Sequence, residues 1–460
     1  MVKLGLIFLN REELDLIKSM KNSSKYLLAL SMVAFLSACG TDGNTGANSV
    51  EDGSAQLAGI SEIDDVNAAT MLAYVKGGVD PSATNAFSTK AVKISYNTIN
   101  QNGQNIVASG LLVIPTATDA YKAYLASIGK SFSVSMICDN HGTIFLNSEA
   151  PTNVEKKNGI PDYPLSIAMS GYAGFAAIYP DYVGFGDSNT TVHPYILKKS
   201  AGQASLDMIK ASMKYMEDNG VILNHQLYIT GYSEGGYNAM ALAQKAESEL
   251  STVNLMGIAP MAGPYNVEDL ANLEINATRI MHYPAFLADL AYSYSHYYDD
   301  FDLNTTAVAP VANFALAFNG TNDTVPIHVI LGLANGTTDY GFYTHTADEL
   351  FKSTFISDYT DNLNSVARNR FIENNLDNWT PKTKMNFIQC LDDDIIPFSE
   401  SNNTYNKFKA NGADVTLTGI PTALLKQQQD LTHPFVHANC GPEAYGTAIK
   451  WFADIRSGAI

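Results

Sequence analysis

The chain has 460 residues, enough to bury one enlarged core or two smaller ones. Its 46 acidic residues against 28 basic ones leave a net charge of -18, which argues against nucleic acid or an anionic membrane face as a partner. Neither a C-x-x-C nor an H-E-x-x-H spacing occurs, so the sequence offers no metal site.

At the amino terminus Lys21 and Lys25 precede an apolar stretch over residues 26–36, which ends in Leu36-Ser37-Ala38-Cys39-Gly40. A basic start, a short apolar run and a small-residue cleavage site describe a secretory signal. The run is shorter than the about 20 apolar residues a membrane-spanning helix requires. With a cysteine after the cut, residues 20–38 resemble a bacterial lipoprotein signal peptide. That resemblance implies lipidation of Cys39 and attachment to a membrane surface, in the cell envelope. Gly40 at the next position favours the outer membrane of a Gram-negative cell, with a secreted form as the other location. Met20 is the natural start of such a signal, which makes residues 1–19 an upstream start-site misassignment. Residues 39–61, rich in Gly, Ser, Asn, Asp and Ala, read as a flexible tether.

Residues 94–99 and 106–114, separated by a polar run around Asn102-Gly103, predict two antiparallel strands. Strand-like runs then alternate with helical ones. Strands are expected at 132–137, 174–179, 227–230, 255–259 and 385–389, and helices at 202–219, 237–250, 399–411 and 442–455. Such alternation predicts an α/β fold with a mostly parallel central sheet covered by helices on both faces. In the 202–219 helix, Leu206, Ile209, Met213 and Met216 form an apolar stripe, with Asp207, Lys210, Lys214 and Glu217 expected to face away. Between 264 and 379 the rhythm stops. A stretch this long is an insertion with structure of its own, dense in aromatics (Tyr283, Phe286, Tyr292, Tyr294, Tyr297, Tyr298) and helical again from 348 to 375. It is expected to be a largely helical cap over the strand ends, rather than a remote side domain, between core segments 62–263 and 380–460.

Gly231-Tyr232-Ser233-Glu234-Gly235 reads G-x-S-x-G between a predicted strand and a predicted helix. This is the context of a nucleophile elbow, in which a serine is exposed on a sharp turn. In a chain with 33 glycines the bare pattern could be a plain turn, so the flanking elements carry the reading. A serine hydroxyl needs a base to take its proton, an acid to orient that base, and donors for the oxyanion. Downstream, an apolar strand runs into Asp392, Asp393 and Asp394 and then Pro397, the expected place for the acid. The histidine candidates are His433 and His437. His437 is favoured, because it stands in an H-x-x-C element just before the terminal helix, whereas Pro434 restricts the residue before it. His282, His296, His328 and His345 receive no role. For the oxyanion, one donor is the N–H of Glu234. Thr143, with Gly142 second, supplies the other from the turn Asp139-Asn-His141-Gly142-Thr143, where His141 supports the loop.

These stretches, together with residues 179–188, His193-Pro194-Tyr195 and His437-Ala-Asn-Cys440, resemble the α/β-hydrolase superfamily in its secreted lipase and esterase branch. The resemblance runs from about residue 90 to the end, apart from the cap. It implies an α/β-hydrolase fold, and its D-x-x-x-P loop pattern points to Asp393 as the acid, then Asp394, then Asp392. Two residues depart from the common pattern: Glu234 follows the serine, and Cys390 stands where glycine is common. A bridge between Cys390 and Cys440 would join the acid and histidine loops.

The expected activity is that of a serine carboxylic-ester hydrolase acting on a small-molecule or lipid ester, with the triad Ser233, His437 and Asp393 and with no metal or organic cofactor. A serine aminopeptidase or oligopeptidase on the same fold would share the triad. A surface binding lipoprotein on a decayed hydrolase scaffold is the reading of another class.

Overall fold

The computed structural model describes residues 56–79, 82–154, 156–157, 160–161, 165, 167–275, 283–333, 345–422, 425 and 436–460. Cys39, the expected signal, most of the expected tether, His282 and His433 lie outside the described residues.

A nine-stranded sheet organises the molecule. Its strands are β1 (Leu57–Val66), β2 (Ser88–Ile99), β3 (Asn105–Thr116), β4 (Val134–Asn140), β5 (Ala176–Pro180), β6 (Leu223–Tyr232), β7 (Asn254–Met261), β8 (Met385–Cys390) and β9 (Val415–Ile420). Across the sheet the order is β1, β2, β3, β5, β4, β6, β7, β8, β9. The first three strands and β5 pair antiparallel, and from β5 onward every pairing is parallel. The hairpin of β2 and β3 turns at Asn102-Gly103, where Gly103 takes φ 79°. Two edge strands, β1 and β9, escape a reading by apolar runs. Leu57-Ala-Gly-Ile-Ser-Glu-Ile-Asp-Asp-Val66 is too polar to stand out, and its strand begins inside the stretch expected to be a tether.

Among the described residues, the α-helices longer than four residues are α1 (Ala68–Gly78), α2 (Asp119–Ser127), α3 (Lys198–Asp218), α4 (Glu234–Glu249), α5 (Val267–Glu274), α6 (Pro284–Tyr297), α7 (Val311–Ala317), α8 (Ser353–Asp361), α9 (Val366–Glu373), α10 (Phe398–Ala410) and α11 (Val436–Ser457). The sheet is apolar on both faces. Met136 and Cys138 belong to the apolar cluster that includes α3, α4 and helices between β7 and β8, while Ile137 belongs to the cluster that includes α1 and α11. A strand buried on both sides reads as a continuous apolar run, because each successive side chain meets a different covering layer.

One expectation about α3 does not hold. Leu206, Ile209, Met213 and Met216 are buried as expected, and Lys214 and Glu217 are exposed, but Asp207 is fully buried. It accepts hydrogen bonds from Thr98 Oγ1 at 2.7 Å and Gln203 Nε2 at 2.8 Å. The helix is wedged between the sheet and α4, so its buried sector is wider than one stripe. The last helix also differs, since the chain is already helical at Val436 rather than from about 442. His437 therefore lies within α11 instead of before it.

Candidate active site

The parallel strands end together: Asn140 is in register with Gly231, Tyr232 with Met261, and Ile388 with Met261. Side chains that follow these ends converge on one edge of the sheet, where open α/β sheets bind ligands. β6 ends at Tyr232 and α4 begins at Glu234, leaving Ser233 between them at φ 60°, ψ -122°. A non-glycine residue in that region carries about 1–3 kcal/mol of strain. Ser233 is held there by its own N–H donating to Met261 O at 2.9 Å and by Gly236 N–H donating to its carbonyl at 2.9 Å. The flanking glycines are a packing requirement. A Cβ on Gly235 would lie 1.8 Å from Asn140 O, and one on Gly231 would lie 2.2 Å from Gly235 O.

His437 Nε2 lies 2.8 Å from Ser233 Oγ. Its Nδ1 lies 2.8 Å and 3.0 Å from the two oxygens of Asp393. The His437 side chain is 6% exposed and that of Asp393 0%. Asp393 Oδ1 also accepts the N–H groups of Ile395 at 3.0 Å and Ile396 at 2.9 Å, which fix the carboxylate. The neighbouring aspartates are used differently. Asp394 accepts the backbone N–H of His437 at 2.9 Å, and burial raises its pKa. Asp392 is exposed and accepts from the Thr422 hydroxyl.

Two further ties hold α11 in place. Tyr232 OH donates to His437 O at 2.6 Å, and Cys390 at the end of β8 is disulfide-bonded to Cys440 in α11. Cys138 is a buried free thiol.

The turn after β4 lies on the other side of the serine. A Cβ on Gly142 would be 3.8 Å from Cβ of Ser233, and Thr143 Oγ1 shares a hydrogen bond of 2.9 Å with Tyr195 OH. His141 is buried and stacks on Tyr182 with ring centroids 4.0 Å apart. Its Nδ1 donates to Gly142 O at 2.7 Å, and Tyr182 OH donates to His141 O at 2.9 Å. Burial lowers the His141 pKa, so the ring stays neutral. Residues 180–186, which carry no chemistry legible from sequence, are the support for this turn. Buried Asp181 accepts from Ser109 Oγ and from Thr152, and Tyr182 braces His141.

A serine, an imidazole and a carboxylate thus stand in series at the ends of parallel strands. The sequence profile of the secretory lipases matches residues 163–458, more than half of the chain. The chain belongs to the secretory lipase family.

As a secretory lipase it is a carboxylic-ester hydrolase of the lipase and esterase type, from a family of secreted enzymes. No curated protein matches its sequence. Among solved structures it is similar to a variant of the rice cell wall degrading esterase LipA from Xanthomonas oryzae, at 20% identity and TM-score 0.72 over 88% of this chain and 99% of that one. It is also similar to a putative hydrolase from Legionella pneumophila, at 20% identity and TM-score 0.71 over 87% and 98%. Candida antarctica lipase A follows at 15% identity and TM-score 0.53 over 84% of each chain. These likenesses establish the α/β-hydrolase fold. Among the described residues of this secretory lipase, no helix is long and apolar enough to cross a membrane, and no cluster of three or more His, Cys, Asp or Glu could hold a metal ion.

Beside Ser233 opens a pocket lined mostly by apolar side chains. Its walls come from the helices of the insertion (Leu270 and Ala271 of α5, Leu287 and Leu290 of α6) and from Ile395 and Ile396 of the acid loop. Helices α5 and α6 thus border the pocket beside Ser233. Tyr294 OH of α6 donates to Ile196 O at 3.1 Å, and Tyr297 OH donates to Val192 O, which dock α6 on the loop after β5.

Two buried residues at this edge received no role from sequence: His193, noted only within a matching stretch, which contacts Glu234, and Asp289 of α6, which was not singled out. The available signal was a lone acid in the apolar run Pro284-Ala-Phe-Leu-Ala-Asp289-Leu.

Proposed function

We propose that this chain is a serine-dependent carboxylic-ester hydrolase working through an acyl-enzyme. Ser233 Oγ attacks the ester carbonyl carbon as His437 Nε2 takes the hydroxyl proton. Asp393 keeps the imidazole oriented and favours the imidazolium that forms. The N–H of Glu234, at the start of α4, and that of Thr143, with Gly142 as the alternative, stabilise the oxyanion. One such donor contributes roughly 3–4 kcal/mol. The carbon–oxygen bond to the alcohol then breaks as His437 returns the proton to the leaving oxygen. Water, activated by the same imidazole, releases the acid and restores Ser233.

The observation that supports this reading is the unbroken chain from Ser233 Oγ through both ring nitrogens of His437 to Asp393, with contacts of 2.8 Å on either side of the ring. The apolar walls of the adjoining pocket suit the hydrocarbon part of an ester. By the same reading the insertion 264–379 is the cap that shapes this pocket, and Cys39 carries the lipid that holds the enzyme at the cell envelope.

The test is hydrolysis of nitrophenyl esters of increasing acyl length beside aminoacyl nitroanilides, by wild type and Ser233→Ala. Ester hydrolysis that disappears in Ser233→Ala is expected. Activity persisting in that variant overturns the mechanism, and faster turnover of the nitroanilides makes the enzyme a peptidase. Cys39→Ser is expected to release the protein from the membrane fraction, and a variant that stays there overturns the anchor.

A further inference from the structure

Glu234 and His193 take no part in the triad, yet they are buried against it. Glu234 opens α4, the helix that follows the nucleophile, and its side chain is 2% exposed. A carboxylate there is costly unless it is paired and hydrogen-bonded. His193 Nε2 lies 2.8 Å from Glu234 Oε1, and Asn238 Nδ2 donates to the same oxygen at 3.3 Å. On its other side, His193 Nδ1 lies 2.7 Å from the carbonyl oxygen of Val183.

These contacts define the protonation of the ring. A carbonyl oxygen can only accept, and so can an ionised carboxylate. For both short contacts to be hydrogen bonds, His193 must carry a proton on each nitrogen. Glu234 Oε1 accepts from Asn238 Nδ2 as well, so the same oxygen serves as the acceptor in both contacts. The pair is therefore an imidazolium and a carboxylate, both buried.

We propose that the His193–Glu234 ion pair is a positioning device for catalysis, holding the first turn of α4 so that the Glu234 N–H points at the developing oxyanion. This inference rests on the assignment of Ser233 as nucleophile and of that N–H as an oxyanion donor. Val183, which anchors the far side of His193, belongs to the loop that also carries Asp181 and Tyr182 beneath the opposite donor turn. Through one imidazolium ring, the two walls of the oxyanion site are tied together.

The ionisable groups facing the pair come from three directions. Asp289 of α6 approaches from the insertion, its pKa pushed up to about 7 by burial. Tyr182 and Tyr195 flank it from the loop after β5, and burial pushes both phenols well above their ordinary range, so they stay neutral. His141 faces Glu234 from the turn after β4 and is kept neutral by burial. For His193 itself, burial pulls the pKa down, but Glu234, with help from Asp289 and Val183 O, more than offsets this and leaves it above the ordinary imidazole value. Loss of its second proton at alkaline pH sets a lone pair of the ring against an acceptor, and the clamp opens.

The experiment is the pH dependence of kcat and KM on a short nitrophenyl ester for the full-length wild type, Glu234→Ala, Glu234→Gln and Asp289→Asn, with a thermal melt at each pH to confirm folding. Wild type is expected to lose kcat on the alkaline side with little change in KM. Glu234→Ala is expected to lower kcat by about tenfold or more, a fraction of the effect of deleting a donor. In Glu234→Gln the amide can donate to a neutral His193 that still donates to Val183 O. This variant therefore recovers part of the loss and shows no alkaline limb. A limb that survives in Glu234→Gln, or that vanishes in Asp289→Asn instead, overturns the proposal. Ser233→Ala labelled with ¹⁵N-histidine gives a readout independent of turnover: one ring with both nitrogens protonated at neutral pH is expected, and its absence equally overturns the ion pair. Residual hydrolysis by Ser233→Ala would instead sink the catalytic assignment, so the two failures are distinguishable.

Discussion

Asp392, Asp393 and Asp394 are adjacent in sequence, yet one meets a threonine hydroxyl at the surface, the next the imidazole of His437, and the third the backbone of the same histidine. Of the three, Asp393 alone hydrogen-bonds the imidazole of His437. Asp393→Asn is therefore expected to lower kcat/KM by about 10⁴. Asp394→Asn keeps an oxygen that accepts the same N–H, so its effect should stay within about tenfold. Steady-state kinetics of the two variants decide between them, and the reverse order would move the acid to Asp394. That a carboxylate from this loop faces His437 was expected from sequence, because an apolar strand leads into it. The rank among three like charges rested on a family resemblance. Which carboxylate turns inward depends on the backbone turn to Ile395 and Ile396, and no spacing rule encodes it.

At the scale of elements, the site depends on how two loops and one helix are held. The Cys390–Cys440 disulfide closes a span of 50 residues between β8 and α11. In the chain-entropy account its loss costs about 4 kcal/mol. Replacing both cysteines by alanine should lower the denaturation midpoint accordingly and reduce kcat more than KM, since Asp393 and His437 sit beside the two ends of the bridge. Unchanged stability would show that the rest of α11 packs well enough alone. The helices of the insertion govern another property, the size of the pocket. Ala271 of α5 lines it and is itself buried, so Ala271→Phe should fill part of the cavity and shift the preferred nitrophenyl ester to a shorter chain. An unchanged chain-length profile would place the acyl group elsewhere. Central strands and the long helices α3, α4 and α10 were legible because apolar runs and periodicity are local signals. β1 and β9 were not, since edge strands need only one partner and tolerate polar residues.

Across the whole molecule, several carboxyls are buried, and that couples stability to pH. Glu400 of α10 accepts the N–H of Asn266, joining the core to the start of the insertion, and burial pushes its pKa up to about 8. Asp139, at the end of β4, is pushed up to about 7 by burial, against a hydrogen bond from Tyr445. In the unfolded chain both groups lose their protons near pH 4. Between roughly pH 4 and 8 the folded state thus binds more protons, and stability falls as pH rises through that window. Glu400→Gln should flatten the slope, so the variant gains on wild type between pH 5 and pH 9 in urea denaturation. Parallel curves for the two proteins would show that Glu400 is ionised in the fold.

What the chain alone made legible was local: the glycine spacing of the elbow and the alternation of apolar runs that builds a parallel sheet. Each is written in neighbouring residues, because backbone geometry and burial periodicity act over a few positions. Only the tertiary structure decided that Asp207 is buried, that Glu234 turns onto His193, and that the pocket draws its walls from α5, α6 and the acid loop. Those outcomes depend on residues far apart in sequence, whose side-chain directions follow from how helices, loops and sheet pack together.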